Sequence, residues 1–473
     1  MKLEMKRFSP VRWACLCLLA LSACSQVPPL PNAQLPQPAP FREAPADRTS
    51  APMADADRHT RDPLDWWSGL GDPVLSDLQS RLLQGSPSLQ VLAAQTRQAQ
   101  AALVGAQASL WPSLGLSTGA TRSANQLAAV QGTAYNVSTP LSWQVDLWGQ
   151  LDAQVQLALA NLEYNRESWA AGRIAAQSTL MQTYVSLRTA ERQLDALQRA
   201  EQAYQRSLDL TQARYTAGVV ASTDVELARN QLASTRAQRI DMFTQMTQLQ
   251  HAVAVLLGLT PAELHLPMLS EAELKHGPVD PPELPDNIPA NLLDQRPDLQ
   301  AAKRQLEAAN AQVGIAQAAF FPTVNFNLSA GYRSPELSNL GKTSTQFWSL
   351  GPGLALNLID FGQRRAARDQ AQAGLDAALA SYRQTVLTAY QQVEDNLVAV
   401  IQLKQQEQAQ RMAWQAAQRN LELTQDQYVA GTVSYLNVVS AQTAALTAER
   451  AWLDVQSRRW LATNTLMAAG LRF

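Results

Sequence analysis

The chain is written twice. "AQAALVGAQASLWPSLGLSTG" at Ala99–Gly119 returns as "ANAQVGIAQAAFFPTVNFNLS" at Ala309–Ser329, 210 residues on. Around that pair, "LLQGSPSLQ" at Leu82–Gln90 returns as "LLDQRPDLQ" at Leu292–Gln300, and "LWGQ" at Leu147–Gln150 as "DFGQ" at Asp360–Gln363. "YTAGVVASTDVELA" at Tyr215–Ala228 returns as "YVAGTVSYLNVVSA" at Tyr428–Ala441. The offset changes from 210 to 213, so one loop has gained a few residues. Two long copies specify an internally duplicated fold; a solenoid needs more and shorter units.

Each copy carries the same punctuation. No proline falls between Pro140 and Pro261, and none follows Pro352. Interior prolines break helices, so these Ala/Gln/Leu/Arg-rich runs read as helix. Gly218 and Gly431 sit in turn-like settings near the middle of each run, which predicts a very long helix, a tight turn and a return helix. Gly149–Ala217 as one helix spans about 100 Å. The apolar spacing is 3.5 residues: Leu375, Leu379, Tyr382, Val386, Ala389 and Val393 in one run, and Leu194, Leu197, Tyr204, Leu208, Thr211 and Tyr215 in the other, with Glu201 a polar exception. That period keeps one seam facing a partner helix and winds a left-handed supercoil. A plain coiled-coil rod would explain these runs, but not what precedes them.

Before each run lie short alternating segments. Val137, Thr139, Leu141, Trp143, Val145 and Leu147 alternate with polar residues; so do Val324, Phe326, Leu328, Ala330 and Tyr332, and so, mainly, do Trp348, Leu350, Leu354, Leu356 and Leu358. Leu114 and Leu116 begin a weaker example. Period-2 patterning is the strand signature, and about ten residues suit a tilted strand crossing a bilayer. Ser123–Gly132 and Ser334–Thr345 are polar and Gly-containing and read as hairpin loops. Alternation alone does not exclude a small soluble sheet.

The N-terminus bears on that choice. Lys2, Lys6, Arg7 and Arg12 precede an apolar run, Trp13–Ala20, and then Leu21-Ser22-Ala23-Cys24. This is a secretory signal, and its end resembles a bacterial lipobox. The resemblance implies cleavage before Cys24, a diacylglycerol thioether on its sulfur and an acyl chain on its amine. Ser25 at the next position implies the outer membrane. Cys15 and Cys17 leave with the signal, so the mature chain has no free thiol for a disulfide, metal site or nucleophile. Loss of residues 1–23 moves the formal net charge from −2 to −5, which suggests no nucleic-acid partner. No later apolar run is long enough for a membrane helix. A chain that crosses the bilayer must therefore do so as strands.

Four strands cannot close a barrel, and membrane barrels need about eight or more. An open edge in lipid leaves unpaired N–H and C=O groups, at several kcal/mol each. Copies must then share one sheet. Two chains give eight strands, a size whose interior side chains fill; three give twelve and room for a lumen.

The chain closely resembles the TolC-like outer membrane factors, and among them the lipidated NodT/OprM-type efflux proteins. The resemblance covers nearly all of residues 64–473. It is carried by "DWWSGLGDPVLSDL" (Asp65–Leu78), "LSWQVDLWG" (Leu141–Gly149), "LLDQRPDLQAAKRQLEAANAQVGIAQAAFFPT" (Leu292–Thr323) and "DFGQRRA" (Asp360–Ala366). It implies an α+β membrane protein: a homotrimer with four strands per protomer, a twelve-stranded outer-membrane β-barrel continued by an α-helical coiled-coil barrel. The expected domains are a signal peptide at 1–23, a lipidated Pro-rich tether at 24–62, one repeat at 63–259, an inter-repeat linker at 260–282 and a second repeat at 283–473. The strands are expected at about 113–122, 134–147, 323–333 and 347–360, and the helical hairpins at about 149–258 and 362–470.

The function implied is a duct that passes small molecules from an inner-membrane pump of the resistance-nodulation-division type, through a periplasmic adaptor, to the exterior. Ala217, Gly218, Val219, Ser222, Ala430, Gly431, Val433 and Ser434 at the two turns are expected to meet the adaptor. Relatives close the duct with a Leu and, four residues later, an Asp. Those positions hold Leu436 and Ser440 here, and a usual Arg is Thr443. Closure is then expected to rest on Leu436 and neighbours such as Asp224. Protein secretion and metal efflux are the alternative cargoes, although nine Met and four His make no soft-metal path. A periplasmic adaptor is the non-channel alternative; it would carry one coiled-coil hairpin flanked by β-rich domains. No enzyme motif, metal-ligand spacing or cofactor site is evident; the lipid on Cys24 is the one non-protein group expected.

Overall fold

The computed structural model describes residues 28–29, 41–42, 72–125, 130–276, 280–284, 293 and 295–470. The expected signal peptide, Cys24 and most of the tether lie outside the described residues. The elements are α1 (Pro73–Gly85), α2 (Pro87–Ala108), β1 (Ser113–Leu114), β2 (Ser117–Asn125), β3 (Val130–Val145), α3 (Gln150–Thr216), α4 (Ser222–Leu256), α5 (Glu271–His276), α6 (Pro297–Ala318), β4 (Thr323–Ser334), β5 (Gln346–Ala355), α7 (Gln363–Val429) and α8 (Tyr435–Ala468). Helices α3 and α7 are each 67 residues long, about 100 Å at 1.5 Å per residue. Among the described residues, no helix is long and apolar enough to cross a membrane.

The chain divides into two units. The first is built on Ala94–Ser168 and Asp298–Thr385. It holds an antiparallel sheet in the order β1/β2, β3, β4, β5, with β1 and β2 sharing one edge. Gly115 and Leu116 interrupt that edge strand, and pairing runs on to Asn125↔Val130, past the expected ends at 122 and 134. Strand β5 ends at Ala355, short of the expected 360. Its partner strand β4 begins at Thr323, opposite Ala355, so the ladder has nothing to continue on; farther on, Asp360 accepts from the backbone N–H groups of Gly362 and Arg364 and pairs with the Arg364 guanidinium, which also reaches the Asn357 carbonyl. These bonds turn the chain into α7. Asp146 plays the matching part in the first repeat, accepting from the Asp152 amide at 2.8 Å.

The two hairpins have one register. Moving β1/β2 by 210 and β3 by 213 turns Ser113↔Ser142 into Thr323↔Ala355, and Ser117↔Ser138 into Asn327↔Gly351; all four pairings occur. The extra residues therefore sit in the β4–β5 loop, where two 3-10 turns form, Leu337–Asn339 and Thr343–Thr345. One face of β5 projects Trp348, Leu350 and Leu354, all more than 60% exposed. Beneath the sheet, Leu306 and Val313 of α6 pack on Leu375 of α7, with Leu379 and Tyr382 alongside, as the 3.5 spacing predicts. The Asn310 amide donates to the Pro28 carbonyl at 2.8 Å, which fixes one point of the N-terminal segment on α6.

The second unit is built on Trp169–Pro297, Val386 onward and the helical stretch that ends at Ala93. Leu75, Leu78 and Leu82 of α1 pack on Leu180, Met181 and Tyr184 of α3, on Val253 of α4 and on Trp460 of α8. Asp72 caps α1, accepting from Val74 and Leu75 amides and from the Tyr184 hydroxyl at 2.6 Å. Further along α3, Leu187, Leu194 and Leu197 pack on Met242 and Met246 of α4. The polar exception in the seam, Glu201, pairs with Arg239 and Arg236. Tyr215, its last member, is 45% exposed and has left the seam.

Candidate functional site

The two helical turns are the same object built twice. In the first, the Gly218 amide donates to the Tyr215 carbonyl and the Val219 amide to the Arg214 carbonyl, both 2.9 Å. In the second, Gly431 donates to Tyr428 at 3.1 Å and Thr432 to Gln427 at 2.9 Å. This is the Schellman pattern, with a left-handed residue just past the helix end. Gly218 and Gly431 have φ of 72° and 78°, the conformation that favours glycine.

The turns are tied to each other. Arg214 donates to the carbonyls of Tyr428 (2.8 Å) and Val429 (2.7 Å), and its guanidinium carbon lies 4.8 Å from the Tyr428 ring centre. Tyr428 meets Tyr435 edge-on, with centroids 5.3 Å apart. Tyr435 shares a hydrogen bond with Ser207, and Tyr204 donates to the Gln442 carbonyl at 3.0 Å. Ala228 and Val438 complete this cluster, with Val433 packed on it. Burial raises both phenol pKa values, that of Tyr204 to about 12. Both therefore stay neutral at any physiological pH, and Tyr204 keeps its donor.

Of the residues expected at the adaptor contact, Ala217, Gly218, Val219, Ser222, Ala430, Gly431 and Ser434 are exposed; Val433 is half-buried in the tip cluster. Leu436 is 56% exposed on the first turn of α8. Ser440, Thr443 and Thr447 follow on the same exposed face at helical spacing. With Gln410 of α7 and neighbouring alanines, these three border an open groove of about 630 Å³. The Thr443 hydroxyl donates to the Val439 carbonyl and accepts from Gln231. Asp224 is half-buried in the first turn of α4, where the helix dipole favours a negative charge. Among the described residues it makes no ion pair. Leu436 and Asp224 thus lie on different helices, α8 and α4, near one end of this unit.

Sequence reasoning missed Arg214, Tyr204, Tyr428 and Tyr435 as the ties of the tip. No local signal marks them: Tyr215 and Tyr428 hold the same place in "YTAG" and "YVAG", yet the structure exposes the first and buries the second. Among the described residues, no group of three or more His, Cys, Asp or Glu could hold a metal.

A family model described as outer membrane efflux protein matches residues 78–259 and 288–470. Outer membrane protein OprJ of Pseudomonas aeruginosa is 29% identical over 467 residues, covering 96% of this chain and 94% of its own. Probable outer membrane lipoprotein SilC of Salmonella typhimurium is 27% identical over 85% of this chain and 87% of its own. The solved structure of the outer-membrane channel OprN matches with a TM-score of 0.79 at 26% identity, over 91% of this chain and 99% of that one.

Proposed function

The chain belongs to the outer membrane efflux protein family, and from its place as the outer-membrane channel of an efflux pump we propose a working arrangement. The protein is a transport component of the outer membrane and not an enzyme. Three copies complete one twelve-stranded barrel around a water-filled bore. The long helices continue the bore into the periplasm. The cargo is small molecules delivered by an inner-membrane pump of the resistance-nodulation-division type through a periplasmic adaptor.

The observation that carries this reading is the open sheet. It is four strands wide, has a free edge on each side and presents an apolar face through Trp348, Leu350 and Leu354. An open edge is untenable in hydrocarbon, and charge-free Leu and Trp are what a lipid-facing strand presents. The exposed turns at Gly218 and Gly431 are the surface offered to the adaptor. Leu436, backed by Ser440 and Asp224, closes the resting bore. A thioether-linked diacylglycerol and an acyl chain on Cys24 add a second hold on the membrane, in keeping with the lipoprotein name of the SilC relative.

The test is direct. Protein purified from outer membranes should run as a heat-dissociable trimer and conduct ions in planar bilayers. Deleting it should sensitise cells to pump substrates, and the Cys24→Ser chain should lose incorporated palmitate. A purified monomer with no conductance would overturn the reading.

A further inference from the structure

We propose that Arg333 sets the charge preference of the outer mouth: around the bore its three copies form a ring of positive charge that gathers small anions, such as carboxylates, sulfonates and phosphates, at the exit. This rests on the three-copy channel proposed above and names the cargo class its mouth favours. Strands β1 to β5 carry two charged residues, Arg122 and Arg333. The register puts them on opposite faces. Arg122 pairs with Thr133, which by the period of two shares the face of Val137, Leu141 and Trp143. The pairs Val137↔Tyr332 and Trp143↔Phe326 carry that apolar face across to β4. Arg333 pairs with Asn136, on the face of Ser138, Ser142, Asn325 and Asn327. This polar face suits the water-filled side, and apart from Arg333 its strand residues are neutral from end to end.

The guanidinium is held but not neutralised. Its carbon lies 5.4 Å from the ring centre of Phe347, which pairs with Gly331 on the same polar face. An aromatic face attracts a cation without cancelling its charge. Arg333 is exposed, and among the described residues it makes no ion pair. The β4–β5 loop adds one charge of each sign, Glu336 and Lys342, and both bond to Asn339, at 2.8 and 2.6 Å. Those two sum to zero, so the charge of Arg333 stands. Arg333 follows Tyr332, the last β4 residue paired with β5, at the end of the sheet away from the helices. Twelve strands about 4.8 Å apart and tilted by about 40° give a backbone radius of about 12 Å. The Debye length is about 10 Å at 0.1 M salt and about 3 Å at 1 M. Three inward-facing charges therefore fill the mouth with positive potential at low salt and only line its wall at high salt. At this radius in water each charge attracts an anion by less than RT, so anions are gathered and not trapped.

The experiment uses full-chain trimers in planar bilayers. Protein added to one chamber inserts sheet-first, because the long polar helices cannot cross lipid, so the outer mouth faces the far chamber. The probe is pyrene tetrasulfonate, a tetra-anion, added to the far chamber. At about 0.1 M KCl it should block the parent, and Arg333→Gln should weaken that block roughly tenfold. In about 1 M KCl the difference should vanish. Arg333→Lys keeps the charge and should keep the block. Arg333→Glu should reverse the preference, so that spermine blocks from the far chamber in place of the sulfonate. Arg122→Gln removes a charge from the opposite face and should leave the block as in the parent. If conducting trimers of the parent and of Arg333→Gln are blocked equally, Arg333 is not the selector and the channel reading stands. If no conducting oligomer forms, both fall.

Discussion

Arg214 of the first repeat clasps Tyr428 of the second, with its guanidinium carbon 4.8 Å from the ring and its N–H groups on the Tyr428 and Val429 carbonyls. Two helical turns that are far apart in sequence are thereby latched. Arg214→Ala removes two charge-assisted bonds and should weaken the tip locally by about 2 kcal/mol. Hydrogen exchange at residues 219–222 and 432–435 should accelerate while global unfolding shifts little. Arg214→Lys should restore part of the protection, since an ammonium cannot supply the planar fork.

Leu436 is more than half exposed in the protomer, so trimming it should leave folding nearly unchanged. Leu436→Ala trimers in planar bilayers should conduct several-fold more than the parent. Equal conductance would remove Leu436 from the gate.

Gly218 and Gly431 hold positive φ, and a Cβ added at either would meet nothing within 4 Å. Asn tolerates that conformation, so Gly218→Asn and Gly431→Asn should keep the turn and the trimer. If the turns dock the adaptor, the added bulk should lower efflux-dependent resistance with trimer yield unchanged. Full resistance in both variants would reduce these glycines to turn closure.

Arg459 is 8% exposed and pairs with Glu407, 12% exposed, at 2.8 Å; its other partner, Asp280, is 80% exposed at 3.3 Å. Glu407→Ala leaves a buried guanidinium with only the exposed Asp280 of these two partners and should cost about 3 kcal/mol. Asp280→Ala should cost about 0–1 kcal/mol, as exposed pairs do. Thermal unfolding of the two variants side by side separates the cases.

Glu263 accepts from the Thr260 amide and hydroxyl, both 2.8 Å, and Glu273 from the Ser270 amide and hydroxyl at 2.7 and 2.6 Å. The Thr260 backbone bond chiefly holds Glu263 below the ordinary glutamate value of 4.5, and the Ser270 hydroxyl bond chiefly does so for Glu273. A lowered folded pKa means stability that is present above the unfolded value and lost as pH falls through the folded one. Thr260 and Ser270 amides, corrected for intrinsic exchange, should therefore lose protection below pH 4.5, and Ser270→Ala, which removes the hydroxyl bond and keeps the amide bond, should reduce the effect at its own site.

Much of the fold was legible because it rests on period and repetition. Leu375, Leu379 and Val393 announced the seam, and Gly218 and Gly431 announced the turns. Strand ends were less legible: β5 stops at Ala355 because its partner β4 begins opposite it at Thr323, a limit that alternation cannot register. The tip was half legible. Its exposed residues follow from the turn motif, whereas the clasp from Arg214 to Tyr428 spans 214 positions and leaves no local trace. Tyr215 and Tyr428 make the point, since near-identical motifs meet opposite surroundings once the halves fold together.

The lengthened β4–β5 loop lies at the end of the sheet away from the helices, beyond the last paired residues, Tyr332 and Gln346. In an outer-membrane duct that end faces the environment. Its length and lettering can change without cost to the sheet, because no β4–β5 ladder bond depends on them. The wall of the pore can stay fixed while its outer lip varies in length.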